Sequence, residues 1–532
     1  MTPLGALIPE MLVERGITTV FGIPGVHTVE MYRGLPGSGL RHVTPRHEQG
    51  AGFMADGYWR ASGKVAACFI ITGPGMTNIA TAMGQAYGDS VPMLVISSVN
   101  AEAEIGSGAG HLHELPDQLA LTAGVAAWSR QVRDAAELAE ALDDAMDLFT
   151  SARPRPVHIQ IPIDRLSTGI ALSPPPRTRA TPPVVDDAVI GQVADLLNGA
   201  SRPLLILGGG ARNVNGLQLA EALGAPVLMT ANASGHLPPD HPLHAGGTLF
   251  ADAQRDLIVR SDVVLALGCE FGPTDWTFYG EPAVAFSGTS IRVDIDAAHL
   301  TRGPIADHPL VADAAAFAEA LLPLITRAPA VARDLSACHR ARCEALEARI
   351  ARHVPLLDAI WEASPDAIIA GDSTEPAYAG LVAARPPRLR QWFTTATGFG
   401  TLGYGLPAAI GAKLAQPDAP VIALAGDGGA LYTIAELAAA AEIGLPVVLL
   451  IWNNDGYGEI RHFMEDGQIE PEGVALSPID FAALAKGFGG RYVRADTLAA
   501  ICKAIGDACN GSVPVVIEMR EGDAWTALAR PA

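Results

Sequence analysis

Paired cysteines, long apolar runs, an excess of positive charge and a secretion signal are all missing from this chain. Its six cysteines, Cys68, Cys269, Cys338, Cys343, Cys502 and Cys509, form no CxxC pair. The opening MTPLGALIPE has neither a basic stretch nor an apolar signal core, so a reducing cytoplasm is the expected compartment. No apolar run reaches the roughly 18 residues that a bilayer-spanning helix needs, which predicts a soluble protein with no membrane partner. Lys and Arg number 36 against 57 Asp and Glu, and the net charge of −21 is spread along the chain. That balance excludes nucleic acid and anionic membrane surfaces as partners. What is present is apolar: 49% of 532 residues, enough for several hydrophobic cores and about three domains.

Short β-branched runs alternate with helical stretches along most of the chain, the βαβ signature of a parallel sheet. The first set of strands is Thr18 to Gly22, Val65 to Thr72, Met93 to Ser98 and Val157 to Ile161, in a domain expected over 1–172. A Pro-rich segment, Ser173 to Pro183, reads as a linker. The alternation resumes in Pro203 to Leu207, Val227 to Thr230, Val263 to Leu267 and Ile291 to Ile295, in a domain expected over 184–325. The charged stretch Val331 to His353 reads as helical. A third set follows at Ala367 to Ala370, Val421 to Ala425, Val447 to Trp452 and Val515 to Met519, in a domain expected over 350–532. The fold class is therefore α/β, with three doubly wound parallel-sheet domains.

Chemistry concentrates first in residues 421–454, VIALAGDGGALYTIAELAAAAEIGLPVVLLIWNN. A strand ends at Gly426-Asp427-Gly428-Gly429, a helix follows, and a second strand ends at Asn453-Asn454. A right-handed crossover places both strand ends on one sheet edge, so an acid and an amide 27 positions apart can meet. The product is an oxygen-rich site suited to Mg²⁺, which takes octahedral oxygen ligands and shares them with phosphates. Gly426, Gly428 and Gly429 let the backbone approach an anion, and the following helix offers N–H groups. A plain strand-turn-helix with glycine punctuation is the alternative for the first half alone.

The second concentration is PRHEQGAGFMADGYWRASGK, Pro45 to Lys64, which puts Glu48 in a helix with Gly50, Gly52 and Gly57. Each glycine costs such a helix roughly 1 kcal/mol relative to alanine, so something should pack very close to its backbone, and a dimer interface would supply it. A carboxylate buried in such surroundings favours its protonated form and can share that proton with a heterocyclic nitrogen. The alternative is a surface glutamate favoured by the helix dipole.

Taken together, VFGIPG (Val20 to Gly25), the Glu48 segment, TGPGMTN (Thr72 to Asn78), VDIDAAHL (Val293 to Leu300), GTLGYGLPAAIGAKLA (Gly400 to Ala415) and the GDGG…NN pair resemble acetolactate synthase and related 2-oxo acid decarboxylases. The resemblance covers the whole chain. It implies thiamin diphosphate and Mg²⁺ as cofactors, with pyrimidine-binding, middle Rossmann-like and diphosphate-binding domains in that order. It also implies active sites between the subunits of a homodimer or homotetramer. Carried onto this sequence, it makes Glu48 the carboxylate that activates the coenzyme. Asp427, Asn454 and the carbonyl of Gly456 become the metal ligands. Pro24, Gly25, Thr72, Gly400, Leu402, Gly426, Gly428 and Gly429 become coenzyme contacts, Leu402 being the apolar wedge beneath it. Some relatives bind FAD in the middle domain. LLILGGGARN (Leu204 to Asn213) lacks GxGxxG spacing and reads as a structural turn, so the sequence leaves FAD undecided.

Departures from the synthase pattern bear on the substrate. Where synthases carry Phe-Gln-Glu, this chain has His111-Leu112-His113-Glu114, and histidine exchanges protons near neutral pH. His113, then His111, are the candidate acid–base residues, with ordinary loop histidines as the alternative. Val26-His27 replaces the acidic or serine position of several decarboxylases, which weakens any acid–base role for that loop. Glu459, five residues past Asn454, stands where synthases carry an apolar residue and could pair with a guanidinium. The alternative is a helix-start glutamate paired with Arg461 or His462. Glu375 is a second, weaker acid. The sequence as a whole most resembles decarboxylases of 5-guanidino-2-oxopentanoate, which implies non-oxidative loss of CO₂ to give 4-guanidinobutanal. An acetolactate synthase-type carboligase and a catalytically inactive regulatory relative are the rival readings.

Overall fold

Three six-stranded sheets, every neighbouring pair parallel, follow one another along the chain in a computed structural model that describes residues 1–170, 174–247, 249, 251–276, 285–326 and 333–527. Residues 171 and 172 of the first expected domain, Ser173 of the linker, Val331 and Ala332 of the charged stretch, and 528–532 lie outside the described residues.

In spatial order the first sheet is Arg41–Val43, Thr19–Gly22, Ala67–Ile70, Met93–Val99, Pro156–Pro162 and Trp128–Gln131. The last is Trp392–Thr394, Ile368–Gly371, Val421–Gly426, Val448–Asn453, Val515–Arg520 and Arg491–Arg494. Numbered along the chain within each sheet, both have the order 2-1-3-4-6-5. The middle sheet, His244–Gly246, Val227–Met229, Pro203–Leu207, Val263–Leu267, Thr289–Asp294 and His308–Val311, has the Rossmann order 3-2-1-4-5-6. The interior strands are the β-branched runs read from the sequence, buried on both faces as parallel strands under helices must be. The edge strands were not read. A short antiparallel pair, Thr2–Pro3 with Gly169–Ile170, also joins the two ends of the first unit.

The described part of the charged stretch is helical in two pieces, Ser336–Glu344 and Ala348–Ala351, with a break at 345–347. The break turns Ile350 inward to pack with Val354, Ala379 and Ala383, with Leu346 against the same cluster. The close neighbour that the glycine-rich helix Glu48–Ser62 was expected to find is the helix Gly405–Ala415 of its own chain. A Cβ at Gly57 would overlap the carbonyl of Ala408, and one at Gly411 that of Met54. Backbone therefore meets backbone, and the first and last units share one core in which Phe53, Met54 and Tyr58 lie with Tyr404, Ile410 and Leu437.

A buried ion network ties in the middle unit. Arg60 pairs with Asp56 and Asp89, each at 2.6 Å, and donates to Asn232 Oδ1 at 3.0 Å. Buried charges persist only when paired and hydrogen-bonded like this. Among the described residues no helix is long and apolar enough to cross a membrane.

Candidate active site

The strand Val421–Gly426 runs directly into the turn Asp427–Ala430, and its neighbour Val448–Asn453 ends beside it. Asp427 and Asn454 therefore meet as the crossover argument requires. One terminal atom of the Asn454 amide lies 2.9 Å from Gly456 O and 3.2 Å from Asp427 Oδ1. As nitrogen that atom donates to both; as oxygen it completes three oxygens converging on one point, the donor set of a hard cation. The chain reaches this geometry through Asp455 at φ 56° and Gly456 at φ 153°. Burial raises the Asp427 carboxyl to about 6, against the pull of nearby backbone N–H groups. Among the described residues no cluster of three His, Cys, Asp or Glu side chains could hold a metal.

The Gly400–Gly405 loop is fastened beside this turn by a residue that sequence reading did not single out. Asp372, buried at the end of the strand Ile368–Gly371, accepts from Gly403 N and Gly405 N at 3.2 Å each and from Ser373 N at 2.8 Å. Burial lifts its carboxyl to about 6. Leu402 thereby lies against Gly429, where a Cβ would be 3.4 Å from Leu402 Cδ2. Gly400, Leu402, Gly426, Gly428, Gly429, Asn454, Gly456 and Glu459 all line one open cleft of ≈ 1350 Å³.

A second cluster forms at the corresponding edge of the first sheet. Glu48 is the first residue of its helix and is half-buried; its Oε2 accepts from Asn78 Nδ2 at 2.9 Å, and its Oε1 faces Gly75. Thr72, buried, donates to Gln118 Oε1 at 2.8 Å, which holds the Thr72-Gly73 turn against the backbone of His113. His113 takes a left-handed φ of 62°. Its ring lies 5.1 Å from that of His27, and the Nδ1 atoms of both are buried without a partner. Burial, then His113, lowers the His27 pKa. The sequence had marked His27 only as a departure; an imidazole beside the Pro24-Gly25 turn was the signal. His111 instead faces Glu104 at 3.6 Å, and Glu114 gathers the backbone N–H groups of Gly108, Gly110 and His111.

The two clusters do not share the cleft, whose lining includes no residue before Ala251. Glu436, at the start of the helix after the metal turn, instead accepts from Arg46 N and His47 N. It is nearly fully buried, and burial raises its carboxyl to about 7.

Glu459 pairs with neither Arg461 nor His462. Arg349 holds it at two points, Nη1 to Oε2 at 2.6 Å and Nη2 to Oε1 at 3.2 Å. Glu375, buried in the same cleft, takes Arg352 at 2.9 Å and His353 at 3.2 Å on Oε2. Burial would raise its carboxyl, but those two hydrogen bonds outweigh burial and hold it near 2. In the middle unit, Leu204 to Asn213 forms the structural turn expected: Gly208 and Gly210 pack backbone to backbone on Gly268.

Comparison with known proteins identifies the family. Residues 3–121 match the family described as thiamine pyrophosphate enzyme, N-terminal TPP binding domain, residues 190–321 its central domain and residues 377–519 its C-terminal TPP binding domain. The chain is 48% identical over 499 residues to the "Probable 2-ketoarginine decarboxylase AruI" of Pseudomonas aeruginosa, covering 91% of this chain and 88% of that one. It is 33% identical to the acetolactate synthase isozyme 1 large subunit of Escherichia coli, covering 91% and 87%. A thiamine diphosphate-dependent 4-hydroxybenzoylformate decarboxylase of Rhodococcus jostii superposes with a TM-score of 0.83 at 26% identity, over 97% of this chain and 99% of that one.

Proposed function

The chain belongs to the thiamine pyrophosphate enzyme family, and on that premise we propose that it is a 2-oxo acid decarboxylase whose substrate ends in a guanidinium, such as 5-guanidino-2-oxopentanoate. The observation that carries the substrate is the charge of the cleft. Asp252, Glu344, Glu347, Glu375, Glu459 and Asp466 line it, against the two cations Arg340 and Arg349. Such a wall repels a second carboxylate and attracts a cation, and the 48% identity to a 2-ketoarginine decarboxylase supports the same assignment.

Asp427, Asn454 Oδ1 and Gly456 O would hold Mg²⁺, and the convergence of their oxygens supports that set. Gly426, Gly428 and Gly429 would receive the diphosphate, with Gly400 and Leu402 beneath the coenzyme. When bound, thiamin diphosphate supplies the carbon nucleophile that adds to the 2-oxo carbon and accepts the electron pair left by CO₂. Glu48, steadied by Asn78, would hold the proton at the pyrimidine nitrogen, in contact with Pro24, Gly25 and Thr72. His113, or failing it His111, would return a proton to the carbon that lost CO₂. The cleft takes no residue from the first unit, which supports Glu48 reaching it from a second copy and a working enzyme that is a homodimer or a larger assembly built from one.

Supplying protein, coenzyme and Mg²⁺ with either 5-guanidino-2-oxopentanoate or pyruvate tests this reading. Release of CO₂ and 4-guanidinobutanal from the first is expected. Acetolactate from pyruvate, with no turnover of the guanidino acid, would instead establish the carboligase reading that the 33% identity to acetolactate synthase favours.

A further inference from the structure

Resting on the cationic-substrate reading, we propose that Arg349 is an internal, displaceable stand-in for the substrate's guanidinium, closing a subsite formed by Glu459 and Glu375. The subsite has two faces. Glu459 presents both oxygens to Arg349 in the parallel two-point contact that guanidinium and carboxylate favour. Glu375 spends Oε2 on Arg352 and His353, but its Oε1 is buried without a hydrogen-bond partner, 3.6 Å from Arg349 Nη1. An orphaned carboxylate oxygen in a side chain only 2% exposed is costly, and a donor that reached it would be strongly held. Arg349 comes close to that oxygen without bonding it. A guanidinium entering from the cleft could satisfy Glu459 and Glu375 Oε1 together.

The neighbouring arginine sharpens the assignment. Arg352 is fixed: it bonds Glu375 and Glu521 and lies over the Trp452 ring at 5.1 Å. Arg349 sits on the four-residue helix Ala348–Ala351 at the cleft rim, its side chain 21% exposed and its Nε donating to Glu347 Oε2 at 2.8 Å. It can leave without repacking the core. A neutral side chain gives nothing in exchange for the broken ion pair, whereas a guanidinium replaces it in kind, so Arg349 would make the subsite selective as well as closed.

Methylguanidine, a fragment of that side chain, tests the idea apart from turnover. Titrated into the holoenzyme by calorimetry, it should bind Arg349→Ala about tenfold more tightly than the parent, the ratio expected if Arg349 leaves the subsite open about a tenth of the time. Arg349→Ala combined with Glu375→Gln should lose that gain. Equal or weaker binding to Arg349→Ala would overturn the proposal. In the enzymatic arm, KM for 5-guanidino-2-oxopentanoate should fall in Arg349→Ala. A rise would overturn the proposal by making Arg349 a binder of the substrate's own carboxylate. If the parent does not turn over the guanidino acid at all, the substrate reading fails, and the methylguanidine titration still decides the role of Arg349.

Discussion

The first and last sheets share one strand order, yet the edges they offer differ in chemistry. The first edge carries Glu48, steadied by Asn78, and the facing rings of His27 and His113 beside the Thr72-Gly73 turn that Gln118 holds. The last carries the oxygens of Asp427, Asn454 and Gly456 and, farther along the cleft, the carboxylates of Glu375 and Glu459. On the proposed reading one scaffold would serve twice, for proton chemistry at one edge and for holding metal, phosphate and cation at the other, because loops at strand ends vary while the sheet beneath does not.

Substitutions on each side should fail differently. Asp427→Ala is expected to abolish binding of the coenzyme with Mg²⁺, read by calorimetry. Glu48→Gln should retain binding and lose kcat by on the order of 10²–10⁴-fold, the usual worth of a positioned acid or base. Equal loss of binding in both would erase the distinction between the two edges. Within the last unit, Glu459→Gln should raise KM for the guanidino acid by roughly 10- to 100-fold, the worth of a charge-assisted hydrogen bond, while leaving a neutral 2-oxo acid little affected. Steady-state kinetics on both substrates reads the contrast.

The seam between the two units offers a smaller effect. Gly57→Leu or Gly411→Leu forces a side chain into backbone, and a loss of about 1–3 kcal/mol, seen as a lower Tm, is expected. A pH dependence belongs to Glu436, which reaches across that seam to Arg46 and His47. Burial raises its carboxyl from an ordinary 4.5 to about 7, so the folded state holds that proton more tightly than the unfolded chain. The stability this contributes is complete below about pH 4.5 and is lost as pH climbs through 7. Relative to Glu436→Gln, the parent's Tm should therefore fall across that window.

How far the sequence could be read depended on where each strand lies. Val263–Leu267 and Val448–Trp452 of Val448–Asn453 are interior, apolar and buried on both faces, so composition alone reveals them. Arg41–Val43, His308–Val311 and Arg491–Arg494 are edges, partly exposed and of mixed polarity, and nothing local distinguishes them from loops. The glycines of the Glu48 helix announced a close partner but could not name it; Gly405–Ala415 lies some 350 residues on and is equally small-faced.

By itself, the sequence determined the three parallel sheets and the meeting of Asp427 with Asn454, because strand periodicity and crossover handedness act over tens of residues and leave few arrangements. Only the tertiary structure decided that Arg349 would close on Glu459, that Asp372 would fasten the Gly400–Gly405 loop, and that His27 would face His113. Those contacts join segments whose approach is set by packing across the fold, and long side chains choose their partners only after that packing is in place.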